Sequence, residues 1–486
     1  MMKEMTYEPN KKSLSTHEIP DWFHDAKFGI FMHWSLSSVP AFAVTGLDLV
    51  EVIKTQGFKA QFKNNPYAEW YLNSLRIEGS PTHKHHLETY GEDFSYDDFV
   101  PMFNEAIKKW NPDEMAEIIK KAGAKYVCFV TKHHDGFLLW PSEYPNPHKE
   151  NYMASRDIVG ELSKAVKSKG MRMTFYYSGA LDWSFNPNPI RDVPSFLLNG
   201  PTSPEYTEYA NNHWYELIDK YGTDILWNDI GYPPDANIYE LFAYYYNKNP
   251  DGVINDRWMQ VGKRLRKIAK APLIRNFVNW VAKKVMAGGG GASPAPFHCD
   301  YRTPEYRSFP EIQKHKWETC RGVGNSFGYN KEEKDEDYLT PEDLIRMFID
   351  IVSKNGNLLL NVGPMADGTI PEIQQKCILG LGKWLEVNGE AIYGTRPWIR
   401  AESETIDGIG VRFTKKPDAL YAIILDKPKT SEITIKSLRI DEPARIELFG
   451  VEGTLEWTQK DDNLAIKVPE KLEDFPAYAL KITPKP

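Results

Sequence analysis

The sequence lacks the features that mark several large classes of protein. Only four cysteines occur among 486 residues, and none forms a CxxC pair, so neither a disulfide framework nor a zinc knuckle is indicated. No stretch approaches the roughly 20 uninterrupted apolar residues that a membrane-spanning helix needs. The beginning of the chain shows no apolar core behind a basic end, and we therefore expect a cytoplasmic protein without a transmembrane segment.

The chain also lacks an excess of positive charge. The formal net charge is -8, which argues against nucleic acid as the main partner because phosphate binding needs an excess of basic surface. The sequence contains no P-loop and no sustained dinucleotide fingerprint. Functions as an NTPase or an NAD-dependent enzyme therefore lose support.

What the sequence does contain is a repeated alternation of short apolar strands with amphipathic helices. Strands are predicted at residues 28–34, 125–136, 172–179, 224–229, 252–258 and 356–364. Residues 111–124 predict a helix, because apolar residues recur at helical spacing after an Asn-Pro-Asp start. Alternation of this kind over most of the chain predicts an α/β fold, a (β/α)8-like TIM barrel.

The pattern changes near the end of the chain. After residues 384–398, short runs rich in β-branched residues alternate with turn residues, and no helical stretch follows. Runs of this kind predict a C-terminal antiparallel β-sandwich. We therefore place the catalytic barrel at residues 1–390 and the β-sandwich at residues 391–486.

One segment fits neither pattern. Residues 262–296 contain eight lysines or arginines and no acid, in a chain that is acidic overall. Pro272 divides the segment, and an apolar stripe with basic residues around it follows. The stripe consists of Ile274, Phe277, Val278, Val281 and Val285. Gly288–Gly291 then predict a flexible tether, and we interpret residues 259–298 as an insertion in a barrel loop.

Polar side chains stand where the predicted strands end. These residues are His33, His133, His134, Tyr176, Asp229 and Arg257. Because the carboxyl ends of parallel barrel strands share one face, where active sites are built, we expect them to converge on one pocket. Each has a plainer interpretation, since an Asp after a strand often caps a turn and a lone His is often structural. Because five predicted strands all end in such polar residues, a shared functional site is the favoured interpretation.

The His-His-Asp run at residues 133–135 raises the alternative of a bound metal. Consecutive residues of a strand face opposite sides, and no third ligand stands at a spacing such as HExxH, so we predict neither a metal nor a cofactor. Neutral imidazoles, each with one donor and one acceptor, suit neighbouring sugar hydroxyls better. A carboxylate pair in such a pocket is what glycoside hydrolysis needs.

At these residues the chain resembles the α-L-fucosidases of glycoside hydrolase family 29, of bacterial or archaeal type. The motifs that carry the resemblance are "WFHDAKFGIFMHWSLSSVP" (22–40), "NPYAEWYLNSLR" (65–76), "YVCFVTKHHDGFLLWPS" (126–142), "YYSGALDW" (176–183), "LWNDIGYP" (226–233), "NDRW" (255–258), "YRTPEY" (301–306), "SFGYN" (326–330) and "NLLLNVGPMADGTIP" (357–371). They stand in the family's order over nearly the whole chain. An ordered set of this size is far more specific than any one of its members.

The resemblance implies an exo-acting, retaining, metal-free α-L-fucosidase whose partner is a fucosylated oligosaccharide or glycoside. Asp229 matches the nucleophile and Glu305 the general acid/base, with Arg257 placed to keep the nucleophile charged. The residues that match positions around the sugar are His33, Glu69, Trp70, His133, His134 and Tyr176. Phe327 matches an aromatic residue near the C6 methyl group of fucose.

The chain departs from the family between Trp258 and Tyr301, where relatives have a short loop. Three roles for the insertion are open: a lid over the leaving-group subsite, an interface in a homo-oligomer, or a cationic surface for an anionic polymer or membrane. Two rival functions are also open. One is a non-catalytic carbohydrate-binding protein on the same barrel, and the other is a metal-dependent barrel hydrolase.

Overall fold

A computed structural model describes residues 6–47, 49–269, 271, 274–280 and 297–486. Its larger sheet has seven parallel strands in the order β5-β4-β3-β2-β1-β7-β6. The strands are β1 (Phe28–Met32), β2 (Tyr126–Lys132), β3 (Arg172–Ser178), β4 (Ile225–Asp229), β5 (Val253–Ile254), β6 (Trp317–Gly322) and β7 (Gly356–Val362). Nearly every strand residue is buried, as expected for a parallel sheet that is covered on both faces.

The gap between β5 and β6 is filled by the segment that begins at Asp300. The amide of Asp300 donates to the carbonyl of Ile254 in β5 at 2.9 Å, and Glu305 forms a parallel bridge with Cys320 of β6. Pro304 has no N–H to give to a ladder, so this segment is not a regular strand. The sheet therefore curls into a TIM-like barrel, which confirms the predicted fold, and its eighth position is irregular.

Helices connect the strands along most of the barrel. They are α1 (Lys11–Leu14), α2 (Asp21–Ala26), α3 (Leu49–Gln56), α4 (Phe58–Lys63), α5 (Tyr71–Leu75), α6 (Pro81–Tyr90), α7 (Phe99–Ala106), α8 (Pro112–Lys121), α9 (Ile158–Ser168), α10 (Val193–Leu198), α11 (Pro204–Glu216), α12 (Ile238–Lys248), α13 (Lys263–Ala269), α14 (274–280), α15 (Pro341–Ser353) and α16 (Glu372–Asn388). The helix predicted at 111–124 is α8. The side chain of Asn111 caps it by accepting from the amides of Asp113 and Glu114.

Two local predictions need correction. The strand predicted at 252–258 extends only over Val253–Ile254, so Arg257 lies in the loop beyond β5 and does not end a strand. His133 and His134 likewise follow β2, which ends at Lys132. The alternation of side chains along a strand therefore does not separate the two imidazoles.

The C-terminal part of the chain forms two antiparallel sheets. Their strands are β8 (Arg396–Glu404), β9 (Gly410–Lys415), β10 (Leu420–Ile424), β11 (Glu432–Ile435), β12 (Arg445–Leu448), β13 (Trp457–Lys460), β14 (Asn463–Lys467) and β15 (Tyr478–Thr483). The sheet orders are β12-β15-β10-β9-β8 and β11-β14-β13. Apolar residues of both sheets share one core, which confirms the predicted β-sandwich.

The basic segment is described in part. Its described helices are α13 and α14, while residues 281–296, with Val281, Val285 and the Gly288–Gly291 run, lie outside the described residues. Phe277 of the predicted apolar stripe is exposed. Within the part of the chain that the structure describes, no helix has the length and apolar character needed to cross a membrane.

Candidate active site

A cavity of about 790 Å³ opens at the carboxyl ends of the barrel strands. All ten residues singled out in the sequence line it: His33, Glu69, Trp70, His133, His134, Tyr176, Asp229, Arg257, Glu305 and Phe327. They come from strand ends, from loops and from the irregular eighth position of the barrel. The fold thus brings residues that are far apart in sequence to one site.

Asp229 lies at the carboxyl end of β4, a strand that is buried along its whole length. Its Oδ2 accepts a hydrogen bond from the hydroxyl of Tyr176 at 2.9 Å, and its Oδ1 accepts one from Nη1 of Arg257 at 2.9 Å. Hydrogen bonds to an ionised oxygen are stronger than those between neutral groups. The carboxylate is therefore held in a fixed orientation at the floor of the cavity.

The turn after β4 is held by Asn228 and not by Asp229. The side-chain amide of Asn228 donates to the carbonyls of Gly231 at 2.8 Å and Arg257 at 2.9 Å. Gly231 has a φ of 93°, and a Cβ there would stand 2.3 Å from the carbonyl oxygen of Met259, so only glycine fits. Because Asn228 holds this turn, the interpretation of Asp229 as a simple turn cap is wrong.

Arg257 joins the two carboxylates of the site. Its Nη1 lies 2.9 Å from Oδ1 of Asp229 and 2.7 Å from Oε1 of Glu305. Its Nε donates to Oγ1 of Thr303 at 2.8 Å and its Nη2 to the Thr303 carbonyl at 3.0 Å. The guanidinium carbon also lies 4.7 Å from the centroid of the Trp227 ring. These contacts fix the arginine between the two acids.

Glu305 differs from Asp229 in exposure. Its side chain is 42% exposed, against 11% for Asp229, because it stands on the irregular segment that closes the barrel. The two carboxylate oxygens that meet Nη1 cannot lie farther apart than the sum of their contact distances, 2.9 and 2.7 Å. Carboxyl groups roughly 5–5.5 Å apart are typical of retaining glycosidases, whereas inverting enzymes need a wider gap.

His33 is held as a neutral ring with a defined tautomer. The side-chain amide of Asn361 donates to the carbonyl of Phe327 at 2.7 Å, so its oxygen faces Nδ1 of His33 at 2.6 Å. Nδ1 therefore carries the proton, which leaves Nε2 as an acceptor. Burial lowers the pKa of His33 to about 4, although the hydrogen bond to Asn361 opposes that shift.

His134 is oriented in the same way by Ser178. The Ser178 hydroxyl donates to the carbonyl of Leu181 at 2.7 Å, so its oxygen accepts from Nδ1 of His134 at 2.6 Å. Burial lowers the pKa of His134 well below its ordinary value, and the charge of Lys132 adds to the effect. The Nε2 atoms of His33 and His134 are therefore both acceptors at neutral pH, suited to hydroxyl donors.

His133 and His134 stand side by side in the cavity, with ring centroids 4.0 Å apart. Burial lowers the pKa of His133 well below its ordinary value, and the neighbouring His134 makes the second-largest contribution to this shift. Its Nδ1 is buried and has no hydrogen-bond partner among the described residues. No group of three or more His, Cys, Asp or Glu in the described ranges has a geometry that could hold a metal ion.

Glu69 and Trp70 form another wall. The amide of Gly328 donates to Oε2 of Glu69 at 2.7 Å. Burial raises the pKa of Glu69 to about 7, although this hydrogen bond opposes the shift. The Trp70 ring meets the edges of His134 and Trp183, with centroids 5.2 and 5.5 Å away. Glu69 therefore combines a hydrogen-bonding carboxyl group with an apolar surrounding.

Phe327 closes the apolar side of the cavity. Its ring lies 5.1 Å from that of His33 and 5.7 Å from that of Tyr306. Asn361, which orients His33, was not singled out from the sequence. Its place at the end of the predicted strand 356–364 was a signal of the same kind as the one that identified the other strand-end residues.

Two further lining residues, Val193 and Phe196, belong to α10. The Phe196 ring stacks on that of Trp70, with centroids 6.4 Å apart and an angle of 13° between the planes. No sequence pattern predicted this wall, because α10 is a short helix that carries no motif. Its position depends on tertiary contacts alone.

Comparisons with known proteins agree with this geometry. The family model "Alpha-L-fucosidase" matches residues 1–390, and "Alpha-L-fucosidase C-terminal domain" matches residues 405–483. The tissue α-L-fucosidase of Bos taurus is 31% identical over 98% of this chain and 91% of its own length. A crystal structure of Thermotoga maritima α-fucosidase with a mechanism-based inhibitor is 41% identical, with a TM-score of 0.83 over 98% of this chain and 100% of that one.

A more distant structure gives the same picture. α-L-Fucosidase isoenzyme 1 from Paenibacillus thiaminolyticus is 25% identical, with a TM-score of 0.69 over 96% of this chain and 98% of that one. The matched family models together cover both the barrel and the β-sandwich. The chain therefore belongs to the α-L-fucosidase family of glycoside hydrolases.

Proposed function

We propose that this enzyme is an exo-acting, retaining α-L-fucosidase that removes terminal α-L-fucosyl residues from glycosides. The observation that carries the proposal is the pair of carboxylates, Asp229 and Glu305, bridged by Arg257 in the histidine-lined cavity. Their close spacing suits double displacement, because an inverting enzyme needs room for a water molecule between its two acids. The Thermotoga maritima relative was crystallised with a mechanism-based inhibitor.

Asp229 is the proposed nucleophile. It attacks the anomeric carbon and forms a covalent fucosyl ester while the bond to the aglycone breaks. Tyr176 and Arg257 position the carboxylate for this attack. The burial of β4 keeps Asp229 from adopting other orientations, and positioning of that kind lowers the barrier without a new chemical group.

Glu305 is the proposed general acid/base. It protonates the departing glycosidic oxygen in the first step and takes a proton from the attacking water in the second. In the free enzyme its Oε1 accepts a hydrogen bond from Nη1 of Arg257 at 2.7 Å. The exposure of its side chain allows proton exchange with water.

The remaining residues form the fucose site. The acceptor Nε2 atoms of His33 and His134 accept hydrogen bonds from sugar hydroxyls, and His133 adds a further contact. Glu69 provides a second carboxyl group for hydroxyl donors, and Phe327 offers an apolar face to the C6 methyl group.

The test is hydrolysis of 4-nitrophenyl α-L-fucoside, followed by proton NMR from the first seconds of reaction. Double displacement releases α-L-fucose first, and the β anomer then appears by mutarotation. First release of β-L-fucose would overturn the retaining mechanism. Binding of L-fucose without any turnover would instead identify a non-catalytic carbohydrate-binding protein, and loss of activity in a chelator would identify a metal-dependent hydrolase.

A further inference from the structure

The short helix α10 forms a wall of the active-site cavity and needs outside support. It has only six residues, and a helix of that length is not stable by itself. Val193 and Phe196 line the cavity, and the Phe196 ring contacts those of Trp70 and Phe62 at centroid distances of 6.4 and 6.5 Å. Any displacement of α10 would therefore change the shape of the sugar site through Trp70.

The start of α10 is bound by α14 of the basic segment. Nη2 of Arg275 lies 2.9 Å from Oδ1 and 2.8 Å from Oδ2 of Asp192, the residue that caps α10. Oδ1 of Asn279 accepts from the amide of Val193 at 3.3 Å. Arg275 and Asn279 are four residues apart, so they lie on one face of α14. That face is turned towards α10.

Asp192 needs this partner. Its side chain is only 6% exposed. Burial would raise the pKa of Asp192, but hydrogen bonds from Ser195 and Arg275 outweigh it, and the pKa lies below its ordinary value. A buried carboxylate that loses its cation is strongly destabilised where it stands. Removal of Arg275 therefore favours movement of Asp192, and with it the start of α10, towards water.

The end of α10 is bound by α13 of the same segment. Nη1 of Arg266 donates to the carbonyls of Leu198 at 3.2 Å and Gly200 at 3.0 Å, and its Nε donates to the carbonyl of Val261 at 2.9 Å. The last carbonyls of a helix have no partner within the helix, and a cation beside them is favourable. One arginine of the segment thus stands at each end of α10.

We propose that α13 and α14 of the basic segment form a clamp that holds α10 against the cavity, so that Arg275 and Arg266 are positioning residues for the sugar-binding wall. The inference rests on the proposed fucosidase function for its kinetic consequence. Of the three roles left open by the sequence, this inference favours the one in which the segment acts on the active site. The clamp contacts α10 through the face of α14 that carries Arg275 and Asn279. Phe277 and Trp280 lie on the opposite side of α14 and are exposed.

The first experiment compares Arg275→Ala with Arg264→Ala, a matched loss of one positive charge from an exposed position of the same segment. For 4-nitrophenyl α-L-fucoside we expect Arg275→Ala to raise KM roughly fivefold or more, with kcat within about twofold of the parent, since a charged hydrogen bond is lost without contact to the reacting atoms. Arg264→Ala should leave both constants unchanged, and Arg275→Lys should restore part of the loss.

The second experiment measures hydrogen exchange of backbone amides in the same variants. We expect faster exchange confined to residues 192–199 in Arg275→Ala, whereas general destabilisation would accelerate exchange in the barrel strands as well. Equal KM values for the two alanine variants, or unchanged exchange at α10, would overturn the clamp. If the parent enzyme does not hydrolyse the fucoside, the proposed function fails, while the exchange comparison still decides the clamp.

Discussion

The two proposed catalytic acids stand on stretches of backbone that differ in kind. Asp229 ends a regular, fully buried strand and has two side-chain donors aimed at it. Glu305 stands on the irregular eighth position of the barrel, next to a proline, with a half-exposed side chain. A nucleophile benefits from a fixed position, whereas an acid/base has to exchange protons with water. The fold provides each acid with the backbone its role requires.

The largest effect should come from the buried acid. Asp229→Gly removes the nucleophile, and we expect kcat on an aryl fucoside to fall by roughly four orders of magnitude or more. Azide fits the vacated space and attacks from the same side, so it should restore part of the activity and give β-L-fucosyl azide. The measurement is kcat with and without azide and the anomeric configuration of the product by NMR. Near-parental rates would contradict the assignment of Asp229.

The exposed acid should behave differently. Glu305→Ala should lower kcat/KM for a natural fucoside by roughly 10²–10⁴-fold, but much less for a 4-nitrophenyl leaving group, which needs little protonation. Azide should here give α-L-fucosyl azide, because the covalent intermediate still forms. Equal losses on both substrates, or the β azide, would show that Glu305 is not the acid/base.

A substitution at Tyr176 measures how much the fixed orientation of Asp229 contributes to kcat. Tyr176→Phe keeps the ring but removes the hydroxyl that donates to Oδ2 of Asp229. We expect kcat to fall by roughly tenfold, the value of one hydrogen bond to a charged group, and the fold to remain stable because the ring packing is kept. A steady-state comparison with the parent decides the point, and an unchanged kcat would mean that the hydroxyl does not position Asp229.

The smallest effect concerns the stability of the fold and not the reaction. The pKa of Glu69 is raised by burial from 4.5 to about 7. The folded state therefore binds a proton between these values that the unfolded state has lost, and stability falls as the pH rises through this window. Glu69→Gln does not titrate, so its Tm relative to the parent should rise between pH 5 and 8. A Tm difference that does not change with pH would contradict the raised pKa.

The two acids also differ in how well their positions could be predicted from the sequence alone. Asp229 follows a continuous apolar run, so both the strand and the position at its end could be predicted from local pattern. Glu305 follows Pro304 on a segment without strand periodicity, and only the family motif pointed to it. Arg257 was predicted to end a strand, but β5 ends at Ile254. The length of a strand depends on hydrogen bonds to neighbouring strands, and the local sequence pattern carries no information about those neighbours.

The two histidines after β2 show another limit. Alternation along a strand predicted opposite directions for His133 and His134, yet both line the cavity because β2 ends at Lys132. The wall formed by α10 could not be predicted either. Its helix is held by Asp192 and Arg275, residues 83 positions apart, and no local pattern encodes such a contact.

Trapping of the covalent intermediate tests the central claim most directly. Glu305→Ala is incubated with 2-deoxy-2-fluoro-L-fucosyl fluoride, whose fluoride leaves without protonation and whose fluorine at C2 slows both steps. We predict a mass increase of one fluorofucosyl group, carried by the peptide that contains Asp229. The absence of any adduct, or an adduct on a peptide without Asp229, would contradict the account.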